Sequence, residues 1–339
     1  MNHQIVLLAF EQLSGDEKRL ALSAIEASWE SRSGLMAELN KSLSENRVGN
    51  MVCPHCKSDK TIRRGVTKGI EKFSCNKCNK YFQSNYGTAL YRIRRTDKWQ
   101  AYLKLMEQGY SIKRSAKELG IAIQTSFDWR HKVLASLESA LPKKIGGTVE
   151  CDDFQLKESF KGQRKLDRKP HKRGNDGRNH TSEKVSVVTA VSRDSGIIQV
   201  VVAAKKISGE EAQKSMENRL ETGTILITDE ASSYNAVAKA DPTLVHKRIN
   251  SKKNRTERPI GKIHLQTVNN QHKQTRDFLD RFNGVATKYL PNYLNWFAYL
   301  QLQKDNREKI QTMLKTCLSA ATALIFLTKL LAGDVLIRT

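Results

Sequence analysis

A chain of 339 residues is long enough for two or three domains and a well-buried core. Its 58 Lys and Arg against 35 Asp and Glu give a formal charge of +23, a field that draws polyanions and points to nucleic acid ahead of an anionic membrane surface. Six cysteines, four of them in two CxxC pairs, count against a disulfide scaffold and fit a reducing compartment with bound metal.

Residues 1–50 hold 5 basic and 7 acidic side chains, so the positive excess lies beyond them. Met1-Asn2-His3 is not a basic leader and Glu11 interrupts the apolar stretch Ile5–Phe10, so no signal peptide is expected. Residues 4–46 read as helical, with Val6, Leu7, Phe10, Leu13, Leu20, Leu22, Ile25 and Trp29 near helical spacing. Ser14 followed by Glu17 fits a capping box. Function is not readable in this segment; a helical cap or a protein contact is expected.

Cys53-Pro-His-Cys56, 18 residues, then Cys75-Asn-Lys-Cys78 has the spacing of a structural zinc ribbon. Each CxxC turns two thiolates toward one ion, and the residues between alternate like a hairpin. Four thiolates close the shell, leaving His55 out. A redox dithiol is the competing reading. The Lys and Arg around this unit (Arg63, Arg64 and Lys72 among them) are either a DNA-contacting or a solvated face.

Residues 84–96 read as a basic linker. Helices over Trp99–Met106, Ser111–Leu119 and Gln124–Leu137, with Gly120 in the turn, follow the helix-turn-helix pattern or that of an ordinary three-helix bundle. On the first reading Gln124, Thr125, Ser126, Asp128, Arg130 and His131 are exposed on the recognition helix. Pro142–Gly147 marks a boundary. Strands follow at Gly147–Phe154, Lys184–Arg193 and Gly196–Ala204, turning at Asp194-Ser195-Gly196. Then come a helix over Gly209–Leu220, a strand over Thr224–Thr228, a short helix near Ser232–Lys239, a strand near Val245–Ile249 and a longer helix over Gln266–Arg281. A three-strand meander followed by alternating helices and strands gives an α+β chain with a mixed sheet and covering helices.

The basic loop Gln155–Glu183, with Lys169, Lys172 and Arg173, is a disordered loop, a phosphate-ordered one, or both. Lys252, Lys253 and Arg255 form a second basic run. In the Leu- and Ala-rich tail the uncharged stretch 316–328 is only 13 residues, short of a membrane span, so a core or oligomerisation helix is expected. Cys151 and Cys317 read as buried small hydrophobes.

The chemistry centres on two strands that each deliver an acid, Val149-Glu150-Cys151-Asp152-Asp153-Phe154 and Thr224-Ile225-Leu226-Ile227-Thr228-Asp229-Glu230. If those strands are neighbours, Asp152 and Asp229 can hold divalent metal for phosphodiester chemistry, with Asn269 a neutral third ligand from the later helix. Arg276 shares the Asn269 face. Glu150 shares the Asp152 face and is a ligand or a supporting carboxylate; Asp153 turns the other way, to solvent or to a cap. Glu230 caps the next helix, and His264 and His272 read as DNA-contacting or surface histidines. Asn270 could exchange roles with Asn269.

At this point the chain resembles the DDE-type transposases of bacterial insertion sequences that join a zinc ribbon and helix-turn-helix to a ribonuclease-H-like domain. The matching residues are the four cysteines, Val149–Asp153, Leu226–Glu230, Val268-Asn269-Asn270 with Arg276, and Gly284–Phe297. They cover about residues 50 to 300 and are specific in combination. The resemblance implies a triad of Asp152, Asp229 and Asn269 in Asp-Asp-Asn form, with Arg276 where relatives usually carry Lys. It implies structural Zn²⁺ and catalytic Mg²⁺ or Mn²⁺. It further implies DNA partners (terminal inverted repeats and target), a homodimer or larger assembly on paired ends, and a bacterial cytoplasmic, nucleoid-associated setting. DNA contacts are expected from Gln124, Thr125, Arg130, Lys169, Lys172, Arg173, Lys252, Lys253 and Arg255. The expected division is 1–48 helical segment, 49–84 ribbon, 96–141 helix-turn-helix, 147–305 catalytic domain and 306–339 terminal helix. An inactive DNA-binding regulator and a nuclease without strand joining are the rival functions.

Overall fold

The computed structural model describes residues 10–21, 52–67, 70–163, 166, 184–194, 196–202, 206–249, 263–304, 306 and 309–319. Lys169, Lys172, Arg173, Lys252, Lys253 and Arg255, most of segment 4–46 and the tail beyond 319 lie outside the described residues. Ser14 and Glu17 do form the expected cap: the Glu17 N–H donates to Ser14 Oγ at 3.4 Å and the Ser14 N–H to Glu17 Oε2 at 2.9 Å.

β1 (Thr61–Thr67), β2 (Ile70–Cys75) and β3 (Tyr81–Gln83) form a small antiparallel sheet. Three helices follow: α1 (Trp99–Glu107), α2 (Ile112–Leu119) and α3 (Ile123–Leu137). Ser111 starts α2 by accepting the Arg114 N–H at 3.3 Å, and Gly120 ends it in the left-handed region at φ 58°.

The second sheet contains β4 (Thr148–Lys157), β5 (Lys184–Ser192), β6 (Gly196–Val202), β7 (Ile225–Asp229) and β8 (Val245–Ile249). Its order is β6-β5-β4-β7-β8; β4 pairs antiparallel with β5 and parallel with β7, and β7 parallel with β8. β4 runs three residues past the expected Phe154 because its pairing continues to Lys157↔Lys184. α4 (Gly209–Met216) and α5 (Tyr234–Ala240) join these strands. α4 ends four residues before the expected Leu220: Asn218 takes φ 57°, and Leu220 bridges to Ile145.

β4 is buried on both faces. Val149 and Cys151 join Leu226, Ala212, Met216, Tyr234 and Val237 in a core beneath α4 and α5. Phe154 joins a larger core on the opposite face, built with α6 (Gln266–Asp280), α7 (Leu290–Leu302) and α8 (Lys309–Ser319). Trp99, Tyr102, Leu103, Trp129 and Leu134 of the three-helix unit belong to that same core, together with Trp296, Phe297, Met313, Leu314 and Cys317. The helical unit and the sheet are therefore cemented by shared apolar burial.

That shared core corrects the reading of α3. Gln124 is exposed, but Ser126, Arg130 and His131 are buried. Arg130 is 0% exposed; its Nη2 donates to the Tyr110 carbonyl at 2.7 Å and its guanidinium faces the Trp296 ring at 5.0 Å. His131 lies among Phe127, Tyr289 and Tyr293, where burial and the charges of Arg130 and Lys288 push it down to about 3. α7 covers the side of α3 on which Arg130 and His131 stand, while Tyr102 and Ile112 enclose Ser126, so Arg130 is a strut between elements and its charge does not reach the surface.

Arg130→Ala should therefore lower unfolding free energy by roughly 2–4 kcal/mol, from lost packing and an unpaired Tyr110 carbonyl. Urea denaturation measures this. Unchanged stability together with weakened DNA binding would return Arg130 to the surface.

Candidate metal centres and nucleic-acid interface

The four cysteines come together by symmetry of sequence. In each CxxC the residue after the second Cys enters the left-handed region, Lys57 at φ 57° and Asn79 at φ 53°. The same two hydrogen bonds close both turns. Lys57 N–H donates to Cys53 O at 2.9 Å and Asn79 N–H to Cys75 O at 2.8 Å; Cys53 N–H donates to Ser58 O at 2.7 Å and Cys75 N–H to Lys80 O at 3.0 Å. β1 and β2 bring the knuckles face to face, with Phe73 and Phe82 beneath. Cys53 and Cys78 sulfurs lie 3.6 Å apart, as do those of Cys56 and Cys75. Zn–S bonds of about 2.3 Å in a tetrahedron require sulfurs about 3.8 Å apart, so the set fits zinc. His55 is turned to the Tyr86 ring, 5.3 Å away, and is not in the set.

The second centre is built by strand register. β4 and β7 pair through Thr148↔Ile225, Val149↔Leu226 and Glu150↔Ile227. Asp152 and Asp229 each stand two residues past that last pair, beside one another where the parallel strands open. Burial pushes the Asp152 carboxyl up to about 7, against the Asp153 N–H that donates to its Oδ1 at 2.8 Å; the charges of Asp229 and Asp153 also push it up. Such a crowd of carboxylates favours a cation. Asp229 Oδ1 accepts the Ala231 N–H at 3.0 Å, which steadies the turn into α5. Asp153 faces the opposite side of β4 as expected but is half-buried, and the Tyr234 hydroxyl donates to it at 3.4 Å.

α6 lies over the Asp152 face. His272 packs on Phe154 at 4.6 Å and the Arg276 guanidinium stands over the same ring at 4.8 Å. His272 is thus buried rather than on the surface, and burial followed by the Arg276 charge pushes it down to about 4. Asn269 precedes these two by three and seven residues and shares their stripe, whereas Asn270 lies a further 100° around the helix. Both asparagines are exposed. Glu150, read as a ligand or a supporting carboxylate, is 0% exposed and bound to the start of α6.

A half-buried edge of α3, where Thr125 and Asp128 are less open than expected, forms a third region. Thr125, Asp128 and Lys132 line a cleft of about 440 Å³ with Arg92, Arg94 and Arg95. The Arg run read as a linker is held there, because Lys132 Nζ donates to the Tyr91 carbonyl at 2.6 Å and Arg92 stands over the Tyr91 ring at 5.3 Å. The density of arginine in residues 92–95 was the available signal. Gln124 is partly committed, its Nε2 donating to Asp128 Oδ1 at 2.8 Å.

Residues 144–301 match the family of the ISXO2-like transposase domain. An uncharacterized protein in transposable element ISH50 of Halobacterium salinarum is 23% identical over 303 residues, covering 84% of this chain and 100% of that one. These two findings support the resemblance to insertion-sequence DDE transposases. The crystal structure of the Mos1 strand transfer complex is 12% identical with a TM-score of 0.28, covering 71% of this chain and 79% of that one. The Mos1 mariner paired-end complex with Mn is 11% identical with a TM-score of 0.26 over the same shares.

Purified protein should carry one zinc per chain by elemental analysis, and Cys75→Ser should lose it together with the fold of residues 52–83, read as released proteolytic fragments. Stoichiometric zinc in Cys75→Ser would remove the four-thiolate assignment.

Proposed function

We propose that this protein, whose residues 144–301 match the ISXO2-like transposase domain, cleaves DNA at the ends of its element and joins the freed 3′-OH to target DNA. One observation carries the proposal: the pairing of β4 with β7 sets Asp152 beside Asp229 on the side of the sheet that α6 covers. The strand order β6-β5-β4-β7-β8 supports a ribonuclease-H-like catalytic domain.

Asp152, Asp229 and Asn269 would hold Mg²⁺ or Mn²⁺, which when bound supplies Lewis-acid stabilisation of the reacting phosphate oxygens. The residues themselves supply two anionic donors and one neutral one, and the raised Asp152 carboxyl fits a group that ionises fully when a cation shares its space. Arg276 is held over Phe154 two turns along α6 from Asn269, where a fixed guanidinium can take a DNA phosphate.

The four-cysteine ribbon and the α1–α3 unit are the DNA-binding elements of this reading, taking the terminal inverted repeats through Gln124, Thr125 and the arginines of the adjoining cleft. The charge of +23 favours those contacts. Two ends must be held together for joining, so the working form is a dimer or a larger assembly on paired ends. No helix among the described residues is long and apolar enough to cross a membrane. In this reading the protein works where its DNA substrate lies, at the nucleoid in the bacterial cytoplasm.

Labelled duplexes carrying the inverted repeats that flank the gene, incubated with the protein and Mg²⁺, should yield products joined to a target plasmid. Asp152→Ala and Asp229→Ala should each lower joining roughly 10²–10⁴-fold, the loss of several kcal/mol of charge stabilisation. Asn269→Ala should lower it more than Asn270→Ala. Cleavage with no joined product would make the protein a nuclease. Full activity in both Asp variants would dismiss the site.

A further inference from the structure

The described side chains include one fully buried carboxylate bound by many donors that takes no part in the proposed chemistry. Glu150 points from β4 to the same face as Asp152, two residues away. Its Oε2 accepts the backbone N–H of Thr267 at 2.8 Å and of Val268 at 3.1 Å. Its Oε1 accepts the Thr267 hydroxyl at 2.8 Å, and Arg193 Nη2 and Nε at 2.8 and 3.1 Å. His264 Nδ1 lies 3.2 Å from the same oxygen and 3.4 Å from Arg193 Nη2.

We propose that Glu150 is a positioning residue that clamps the N-terminus of α6 onto β4, and so fixes Asn269 and Arg276 opposite Asp152. The inference rests on the metal site proposed above. Its geometry is specific. The amide N–H groups at the start of a helix have no partner within it, and the helix dipole places partial positive charge there. Leu265, which precedes α6, contributes no side-chain cap. A carboxylate from another strand fills both needs, whereas a Ser or Asp within the helix would leave β4 unconnected.

The clamp acts on the residues that matter. Asn269 follows Val268 directly, and its own N–H closes on Leu265 O at 3.1 Å. Fixing the Thr267 and Val268 amides therefore fixes the turn that presents Asn269. Arg193 ties in the end of β5, and its N–H donates to Thr148 O at 3.1 Å. With every accepting direction of Glu150 filled by protein donors, the residue is committed to this junction rather than to a metal ion. Glu150→Gln would turn an amide NH₂ against donors on one side of the junction and break it.

The test is calorimetric Mn²⁺ binding to the zinc-loaded full-length protein, with thermal unfolding and hydrogen exchange alongside. Glu150→Gln should weaken Mn²⁺ binding roughly 10–100-fold, as loss of an orienting partner does, and expose the amides of residues 264–272 to exchange while β4 and β7 stay protected. Leu220→Ala, in the opposite core, should lower Tm without moving Mn²⁺ affinity or that exchange. If Glu150→Gln does not fold, Thr267→Val removes one bond and should give the same pattern at smaller size. Mn²⁺ affinity and exchange unchanged in a folded Glu150 or Thr267 variant would overturn the clamp. Mn²⁺ binding by Asp152→Ala equal to wild type would overturn the metal site, and the clamp with it; binding weakened by Asp152→Ala but not by Glu150→Gln removes the clamp alone.

Discussion

The parallel pairing of β4 with β7 is the constraint on which the structure turns. Asp152 and Asp229 are far apart in sequence, and no local propensity brings them together. Three paired positions do so, ending at Glu150↔Ile227, after which the two strands part and leave an acid on each. A shift of register by one residue would send Asp152 to the Tyr234 side and bring Asp153 to the α6 side. What fixes the register is burial: Val149 and Leu226 are fully enclosed on one face of the sheet and Glu150 on the other. Burial first, and the neighbouring Asp229 and Asp153 charges after it, raise the Asp152 carboxyl, and this cost is tolerated because apolar packing on both faces holds the strands.

The same economy joins the parts of the chain. α3 offers one edge to the arginine-lined cleft and packs its Trp129, Val133, Leu134 and Leu137 face into the core shared with α7 and α8. Trp99, Trp129 and Trp296 sit in that core, and Arg130 bridges Tyr110 to Trp296 within it. In the proposed reading, DNA seated at the α3 edge is thereby rigidly referred to the sheet bearing Asp152 and Asp229. The ribbon follows another principle. Its core is four cysteines with Phe73, Phe82 and Tyr86, too small to hold a fold by apolar burial, which is the circumstance in which a structural metal contributes most.

Much of this was legible in the sequence. Runs of β-formers ending in an acid marked β4 and β7, and the CxxC pairs marked the ribbon, because both are local patterns. The three helices around Gly120 were legible from apolar spacing and turn chemistry. Spacing shows that a helix has an inner face, yet it does not show that a second neighbour covers another. Spacing alone therefore leaves Arg130 and His131 exposed where α7 in fact covers them, and Ser126 exposed where Tyr102 and Ile112 enclose it. His272 was misread for the same reason, since Phe154 is its partner only through the packing of α6. Glu150 could be placed on the Asp152 face by alternation. Its partners at Arg193, His264 and Thr267 come from three separate segments, and nothing local announces them.

In the proposed mechanism Asp152, Asp229 and Asn269 form one divalent-metal site. Crystals soaked in Mn²⁺ and measured at the manganese absorption edge address it directly through anomalous scattering. Strong peaks are expected bonded to the Asp152 and Asp229 carboxylates, with the Asn269 side-chain oxygen as a further ligand. Manganese bound elsewhere with Asp152 and Asp229 apart, or a peak held by Asp153 and Asn270 in their place, would contradict it.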